Sequence, residues 1–225
     1  MLLKPIAHIE TCFPTKFGVP RQAGIIGTPG RIVFEPEYRV AEAVRGLEGF
    51  DYVWLIWQFS KAVRDDWTPT VRPPRLGGNQ RMGVFATRSP FRPNALGLSS
   101  VRLERIETHA QLGLVLHVSG ADLMDGTPIY DIKPYLPYTD SHPDARSGFA
   151  TQPAESLLEV CCLNDCLSTL PPDLRKPLLE VLAHDPRPQY QHNPERVYGM
   201  AFAGYEVRFR VEGDKAEILS ISPAQ

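Results

Sequence analysis

Through roughly the first 140 positions apolar and polar residues alternate in short stretches, a strand pattern. Ile6, His8, Glu10 and Cys12 alternate with Ala7, Ile9 and Thr11, which predicts a half-buried strand. Arg31 to Glu35 is a second strand. Phe50 to Phe59 (FDYVWLIWQF) is dense in aromatic and aliphatic residues and predicts a central one. Met82 to Ala86 follows as a short strand. Leu98 to Ile106 and Leu112 to Val118 form an antiparallel pair joined near His109, and Pro128 to Ile132 closes the series. The one helix of this half opens at Pro36-Glu37, carries Val40, Ala41 and Val44 on one face, and ends at Gly46. Two connections, Thr11 to Gly30 and Trp67 to Pro93, are rich in Pro and Gly. The first is longer than an ordinary connection, and such loops often carry function. Many short strands without βα alternation predict an antiparallel barrel or curled sheet.

The pattern changes after Tyr138. Thr139 to Gly148 (TDSHPDARSG) is polar and turn-like, as linkers are. Beyond it, Pro172 to Ala183 predicts a helix with Leu174, Leu178, Leu179 and Leu182 at helical spacing. Val197 to Phe202, Glu206 to Val211 and Ala216 to Ile221 predict three strands. The expected fold is therefore mainly β with an α+β tail. Residues 1–145 form a barrel domain, and 150–225 a small C-terminal domain.

Composition sharpens this outline. The 225 residues include 22 Pro and 17 Gly, too few for a low-complexity chain but enough for many turns. The net charge of −2 provides no global field for nucleic acid, so such binding must come from a local patch. No apolar run is long enough to span a bilayer, and the first residues do not read as a secretory signal. A cytoplasmic protein is expected, with Cys12, Cys161, Cys162 and Cys166 as reduced thiols, mostly buried in the second domain.

Several catalytic signatures are absent: G-x-G-x-x-G, a Walker loop, G-x-S-x-G and H-E-x-x-H. The six histidines and the Cys cluster lack metal-ligand spacing, so no metal site is expected. The strongest local signal is charge. From Trp67 to Leu103 stand Arg72, Arg75, Arg81, Arg88, Arg92 and Arg102, with no Asp, Glu or Lys. Pro73-Pro74, Pro90 and Pro93 stiffen the segment. A rigid run of guanidinium forks fits phosphate or carboxylate recognition, although a solvated surface loop would show the same charges. Asp125-Gly126-Thr127-Pro128 reads as a tight turn. After it, Asp131 and Lys133 alternate with Tyr130 and Ile132, so the two charges share one side of a strand. There they either face a cavity together or form an ordinary salt bridge. Pro20-Arg21-Gln22 places side-chain donors in the first long loop.

Gly83 to Asn94 (GVFATRSPFRPN) resembles the signature of the TrmO (TsaA-like) family. Thr70 to Asn79, Ala43 to Glu48, Asp125 to Pro128, Asp131 to Pro134 and Asp185 to Pro188 (DPRP) are similar to that family's flanking motifs, and only the stretch around Gln152 to Pro171 matches poorly.

The resemblance implies a homodimeric, S-adenosylmethionine-dependent tRNA N6-methyltransferase built on a single-sheet β-barrel with a small C-terminal domain. Its implied substrate is the threonylcarbamoylated adenosine 3′ of the anticodon in threonine tRNA. By matching positions, the implied cofactor contacts are Pro20, Arg21, Gln22, Phe59, Ser60, Lys61, Arg88, Leu98, Asp125, Gly126, Thr127 and Pro128. The acceptor N6–H is a poor nucleophile that a base, or a cation polarising its carbonyl, would help, and Asp131 and Lys133 are the candidates. Arg72, Arg75, Arg92 and Arg187 are the candidate phosphate contacts, and Phe91 a candidate stacking ring. Arg187, between Pro186 and Pro188, is expected as an exposed fork on a stiff loop. Because every matched cofactor position precedes the tail, the barrel alone is expected to keep that site. Two alternatives stay open: a non-catalytic RNA-binding protein, which would bind tRNA but not the cofactor, and a methyltransferase for a small molecule or protein, which would do the reverse.

Overall fold

The computed structural model describes residues 2–64, 66–150, 157–162, 165–187 and 193–224. Its first half is a closed antiparallel barrel. The strands are β1 (Ala7–Thr11), β2 (Pro29–Phe34), β3 (Tyr52–Gln58), β6 (Leu96–His109), β7 (Gly113–Ser119) and β8 (Thr127–Pro134). Their order around the barrel is β1-β2-β7-β6-β3-β8. Between β3 and β6 lies a two-stranded ribbon, β4 (Thr70–Val71) and β5 (Met82–Gly83). Alternation decides what fills the barrel. Val53, Leu55 and Trp57 of β3 point inward with Ile9, Ile32, Val101, Leu116 and Ile129, all nearly inaccessible.

The predicted helix after Pro36 is not α-helical. Three short 3-10 turns replace it: Pro36–Tyr38, Ala41–Val44 and Leu47–Gly49. Gly46 breaks the run with a φ of 87°, and it precedes the last turn rather than capping a helix. Likewise Met82 to Ala86 is a strand for two residues and then a 3-10 turn, Val84–Ala86.

One register shift matters for the charged pair on β8. Ile56 pairs with Asp131 but Trp57 pairs with Ile129, so Tyr130 is an extra residue in β8. The bulge resets the side-chain parity. Ile129 and Ile132 both turn to the core, and Asp131 and Lys133 turn outward.

The linker expected from Thr139 is folded at its start as α1 (Pro137–Asp140), which is tied to β3. Asp140 Oδ2 accepts Trp54 Nε1–H at 2.8 Å and Leu136 N–H at 2.9 Å. The tail sheet has the order β10-β11-β12-β9, from β9 (Glu159–Cys162), β10 (Tyr198–Phe202), β11 (Tyr205–Glu212) and β12 (Lys215–Pro223). β9 is a strand the sequence pattern did not predict, and it runs parallel to β12. The helix α2 (Pro172–Ala183) covers the sheet with Pro177, Leu178, Val181 and Leu182 buried. Cys162 and Cys166 form a disulfide, which corrects the expectation of four reduced thiols. Cys161 is exposed, and Cys12 is buried.

Candidate active site

The tail's core is not built from the tail alone. Cys12, Phe13 and Ile26, from the loop between β1 and β2, are buried in the same cluster as Leu178, Met200, Phe202 and Phe209. Phe17 of that loop stacks on both Tyr198 and Phe209, with centroids 6.4 and 6.3 Å away. Gly18 has a φ of +96°, and a Cβ there would meet Met200 Sδ at 2.5 Å. Two hydrogen bonds finish the docking: Ala203 N–H donates to the Cys12 backbone oxygen at 2.8 Å, and Gly27 N–H to the Glu180 side chain at Oε2, 3.1 Å away. The long loop is thus gripped by the C-terminal domain, and it then presents Pro20, Arg21 and Gln22. The tail therefore supports the loop, while Pro20, Arg21 and Gln22 themselves lie in the barrel domain's part of the chain.

Those three residues form one wall of a cleft of about 780 Å³, within the range of small-molecule sites, about 300–1,000 Å³. β3 and its continuation provide the second wall, from Trp54 to Ala62. The Arg-rich loop provides the third, with Arg88, Pro90, Phe91 and Arg92. Leu96, Gly97, Leu98, Asp122, Met124 and Thr127 complete the lining. Lys16 Nζ bridges the first two walls by donating to Lys61 O at 3.1 Å. Arg88 Nη1 donates to Gln22 Oε1 and so links the third wall to the first.

Of the residues matched to cofactor contacts, the cleft brings together Pro20, Arg21, Gln22, Phe59, Ser60, Lys61, Arg88, Leu98 and Thr127. Asp125, Gly126 and Pro128 do not line it. They brace it from behind: Asp125 Oδ1 accepts Thr11 N–H at 2.9 Å, Asp125 N–H donates to Phe13 O, and Gly126 N–H to Ile9 O, both at 2.8 Å. Pro128 pairs with His8 in the barrel ladder.

Asp131 and Lys133 lie outside the cleft. On the outer face set by the bulge they pair with each other at 3.0 Å, with side chains 45 % and 63 % exposed. Of the two readings open for them, the ordinary salt bridge is the one seen. Arg92 lines the cleft, but its guanidinium is spent on the backbone oxygens of Ser89, Val84 and Thr87, at 3.0, 3.2 and 2.7 Å. It shapes the loop. Arg72 is exposed, and the Arg75 side chain lies outside the described parts of the structure. Arg187 is corrected. Its side chain is only 10 % exposed and grips Asp185 with two bonds of 2.8 Å. That paired carboxylate raises the guanidinium's already high pKa further. Pro188 lies outside the described residues. Arg64 sits 3.8 Å above the Phe91 ring, so one face of that candidate stacking ring is already covered.

The sequence reading missed Trp57, Ser99 and Asp122. Trp57 Nε1–H donates to Ser99 Oγ at 2.9 Å, and Ser99 Oγ–H donates to Asp122 Oδ1 at 2.5 Å. Burial pushes the Asp122 carboxyl up from its ordinary pKa, opposed by the Ser99 hydrogen bond and, more weakly, by the Arg88 charge. Gly97 lies opposite Trp57 in the ladder, and a Cβ there would collide with the indole. An acid set between Ala121 and Leu123, both buried, was the available sequence signal.

The cleft therefore combines aromatic walls (Trp57 and Phe59 rings 4.3 Å apart), several cations and one acid. These groups fit a ligand with a flat heterocycle and a zwitterionic tail, as S-adenosylmethionine has: rings for the purine, guanidinium forks for the carboxylate.

Comparison with known proteins agrees. Residues 8–141 match the model of the tRNA-methyltransferase O N-terminal domain, and residues 158–224 that of the TrmO C-terminal domain. A tRNA (adenine(37)-N6)-methyltransferase of Eikenella corrodens is 50% identical over 172 residues, covering 76% of this chain and 97% of that protein. The protein of that name from Escherichia coli K12 is 41% identical over 227 residues, covering 97% and 96%. A crystal structure of TrmO from Pseudomonas aeruginosa superposes with a TM-score of 0.79 at 33% identity, covering 99% of this chain and 98% of that one. Both halves of the chain match models of one family: the chain belongs to the tRNA-methyltransferase O (TrmO) family.

Proposed function

We propose that this chain is a methyltransferase that uses S-adenosylmethionine to methylate N6 of adenosine 37 in tRNA. We propose further that the base carries a threonylcarbamoyl group and that the tRNA is a threonine tRNA. The observation that carries the reading is the cleft itself: the family signature's Arg88 meets Gln22 of the long loop over an aromatic wall.

When bound, S-adenosylmethionine supplies a methyl group already activated by its sulfonium. The chain's task is therefore orientation, which can supply up to about 7–11 kcal/mol of a barrier. Arg88 and Gln22 would hold the amino-acid end, and Trp57 and Phe59 would flank the purine. Met124, whose carbonyl accepts Thr127 Oγ1–H at 2.7 Å, lines the same cleft. A threonylcarbamoyl carboxylate adjacent to N6 suits the cations of this cleft, Lys16, Arg21 and Lys61 among them.

The exposed Arg72, with Arg75, is the proposed phosphate contact. A homodimer is also proposed. Leu98 at the cleft is 57% exposed, and Phe85 of the signature segment is 76% exposed, apolar surface that a second copy would cover. Light scattering at assay concentration tests this, with a stable monomer as the contrary result. A tRNA substrate fits a cytoplasmic enzyme, and no helix among the described residues is long and apolar enough to cross a membrane. The function is tested by calorimetry with S-adenosylmethionine and by mass spectrometry of nucleosides from threonine tRNA with and without the threonylcarbamoyl group. The expected result is binding, with one added methyl on the modified tRNA only. Equal methylation of both tRNAs would remove the modified-base part of the proposal.

A further inference from the structure

Methylation of a nitrogen that carries a hydrogen leaves a proton to be removed. The nitrogen in question is also a weak nucleophile until that proton departs. The group that removes it must lie in the cleft and must be able to accept. Lys16, Arg21, Lys61, Arg88 and Arg92 are cationic donors there, and Gln22, Gln58 and Ser60 are neutral. Among the described residues lining the cleft, Asp122 is the one carboxylate.

Asp122 is also held as a base must be. Ser99 Oγ–H fixes Oδ1 at 2.5 Å, and Trp57 Nε1–H at 2.9 Å fixes the Ser99 hydroxyl in turn. A serine hydroxyl has one proton to give, and Trp57 occupies an acceptor site on that oxygen, so its hydrogen is directed to Asp122. Trp57 itself is locked by the barrel core and by the close approach of Gly97. Buried side chains and a two-step hydrogen-bond chain thus set the carboxylate's position.

We propose that Asp122 is the general base that takes the proton from N6 of the target adenosine, with Ser99 and Trp57 as its positioning residues. The proposal rests on the reading of the cleft as the S-adenosylmethionine and adenosine site. The step balances. The N6–H bond breaks toward Asp122, and its electron pair stays on nitrogen. That nitrogen forms the N–C bond as the S–C bond breaks with its pair on sulfur, which turns the sulfonium into a neutral thioether. The proton ends on the Asp122 carboxyl and leaves to solvent through the cleft. The groups that set its titration are the Ser99 hydroxyl, its own and the Ala23 backbone N–H, and the Arg88 charge, all opposing the effect of burial.

Two variants and three readouts test the proposal. Asp122→Asn keeps the shape and a hydrogen-bond acceptor for Ser99. It should lower kcat by about 10²–10⁴-fold and leave calorimetric cofactor affinity within threefold. Ser99→Ala removes a bond that favours the ionised form, so the acid limb of the kcat profile should move to higher pH. In protein carrying ¹³C-labelled aspartate carboxyls, the Asp122 signal, assigned by its loss in Asp122→Asn, should titrate above the ordinary carboxylate range and higher still in Ser99→Ala. If Asp122→Asn turns over within threefold of wild type, the base is elsewhere. If it loses cofactor affinity in proportion to activity, Asp122 is a cofactor ligand, and the base role is overturned. If wild type shows no heat with S-adenosylmethionine, the reading of the cleft fails, and the proposal fails with it.

Discussion

Phe17→Ala should separate the C-terminal domain's grip on the long loop from the barrel's. Phe17 is half-buried and stacks on Tyr198 and Phe209 at 6.4 and 6.3 Å. Truncating a fully buried Phe costs about 3–5 kcal/mol. Half-burial halves that, so the ring is worth about 2 kcal/mol to the docked loop. An undocked loop escapes the cost, but the cofactor requires Pro20, Arg21 and Gln22 in place. Up to about 2 kcal/mol then falls on binding, which is at most roughly thirtyfold in Kd. The expected result is a three- to thirtyfold weaker calorimetric Kd for S-adenosylmethionine, together with a lower denaturation midpoint. Leu170→Ala is the control, since it truncates a side chain in the tail core that is 1 % exposed and lies outside the loop. It should cost at least as much stability, about 2–5 kcal/mol, and leave Kd unchanged. If Phe17→Ala lowers stability but holds Kd within twofold, the loop stands on barrel contacts such as Lys16 to Lys61, and the domain-grip argument is refuted.

Other substitutions have equally definite outcomes. Gly97→Ala should drive the indole of Trp57 from its place, costing about 1–3 kcal/mol in denaturant unfolding and weakening cofactor binding with it. Asp122→Asn should raise stability at neutral pH. Burial raises the folded pKa, so ionising the wild-type carboxyl costs stability above that value, and the cost fades as pH falls from the raised value to the ordinary one. The variant's advantage should shrink to nothing in acid melts. Arg72→Ala should reduce the salt slope of tRNA binding by about 0.7–0.9 and leave cofactor affinity alone, because Arg72 is exposed and outside the cleft lining. Arg187→Ala should instead lower thermal stability without changing that slope, because its fork is committed to Asp185.

The strands of the barrel were legible because a barrel enforces period-two burial. Val53, Leu55 and Trp57 of β3 announce their faces in any window of that segment. The helix α2 was legible for the matching reason, its leucines repeating at helical spacing. What escaped were features set by geometry between distant segments. A single extra residue, Tyr130, reversed the faces of Asp131 and Lys133, and no composition signal marks a bulge. Phe13, Phe17 and Ile26 looked like residues of a barrel loop, yet they complete a core some 150 or more residues further along the chain. Arg187 looked free because its partner, Asp185, is two residues away in a turn where Asp185 itself has a φ of 46°, an arrangement rarely adopted outside glycine. The cleft residues Arg88, Gln22 and Lys61 were found through the family motif. Ser99 and Asp122 were missed because each is ordinary in its own segment, and only the fold sets them 2.5 Å apart.

The cleft joining the long loop, the aromatic strand and the Arg-rich segment is proposed as the methyl-transfer site acting on adenosine 37 of tRNA. Its most direct measurement is single-turnover transfer from methyl-labelled S-adenosylmethionine to threonylcarbamoylated threonine tRNA, by wild type and by Arg88→Ala, with nucleosides resolved by mass spectrometry. Wild type should place label on N6 of adenosine 37, and Arg88→Ala should show a loss of transfer that tracks a loss of calorimetric cofactor affinity. Label at any other nucleoside, or undiminished transfer by Arg88→Ala, would contradict this proposal.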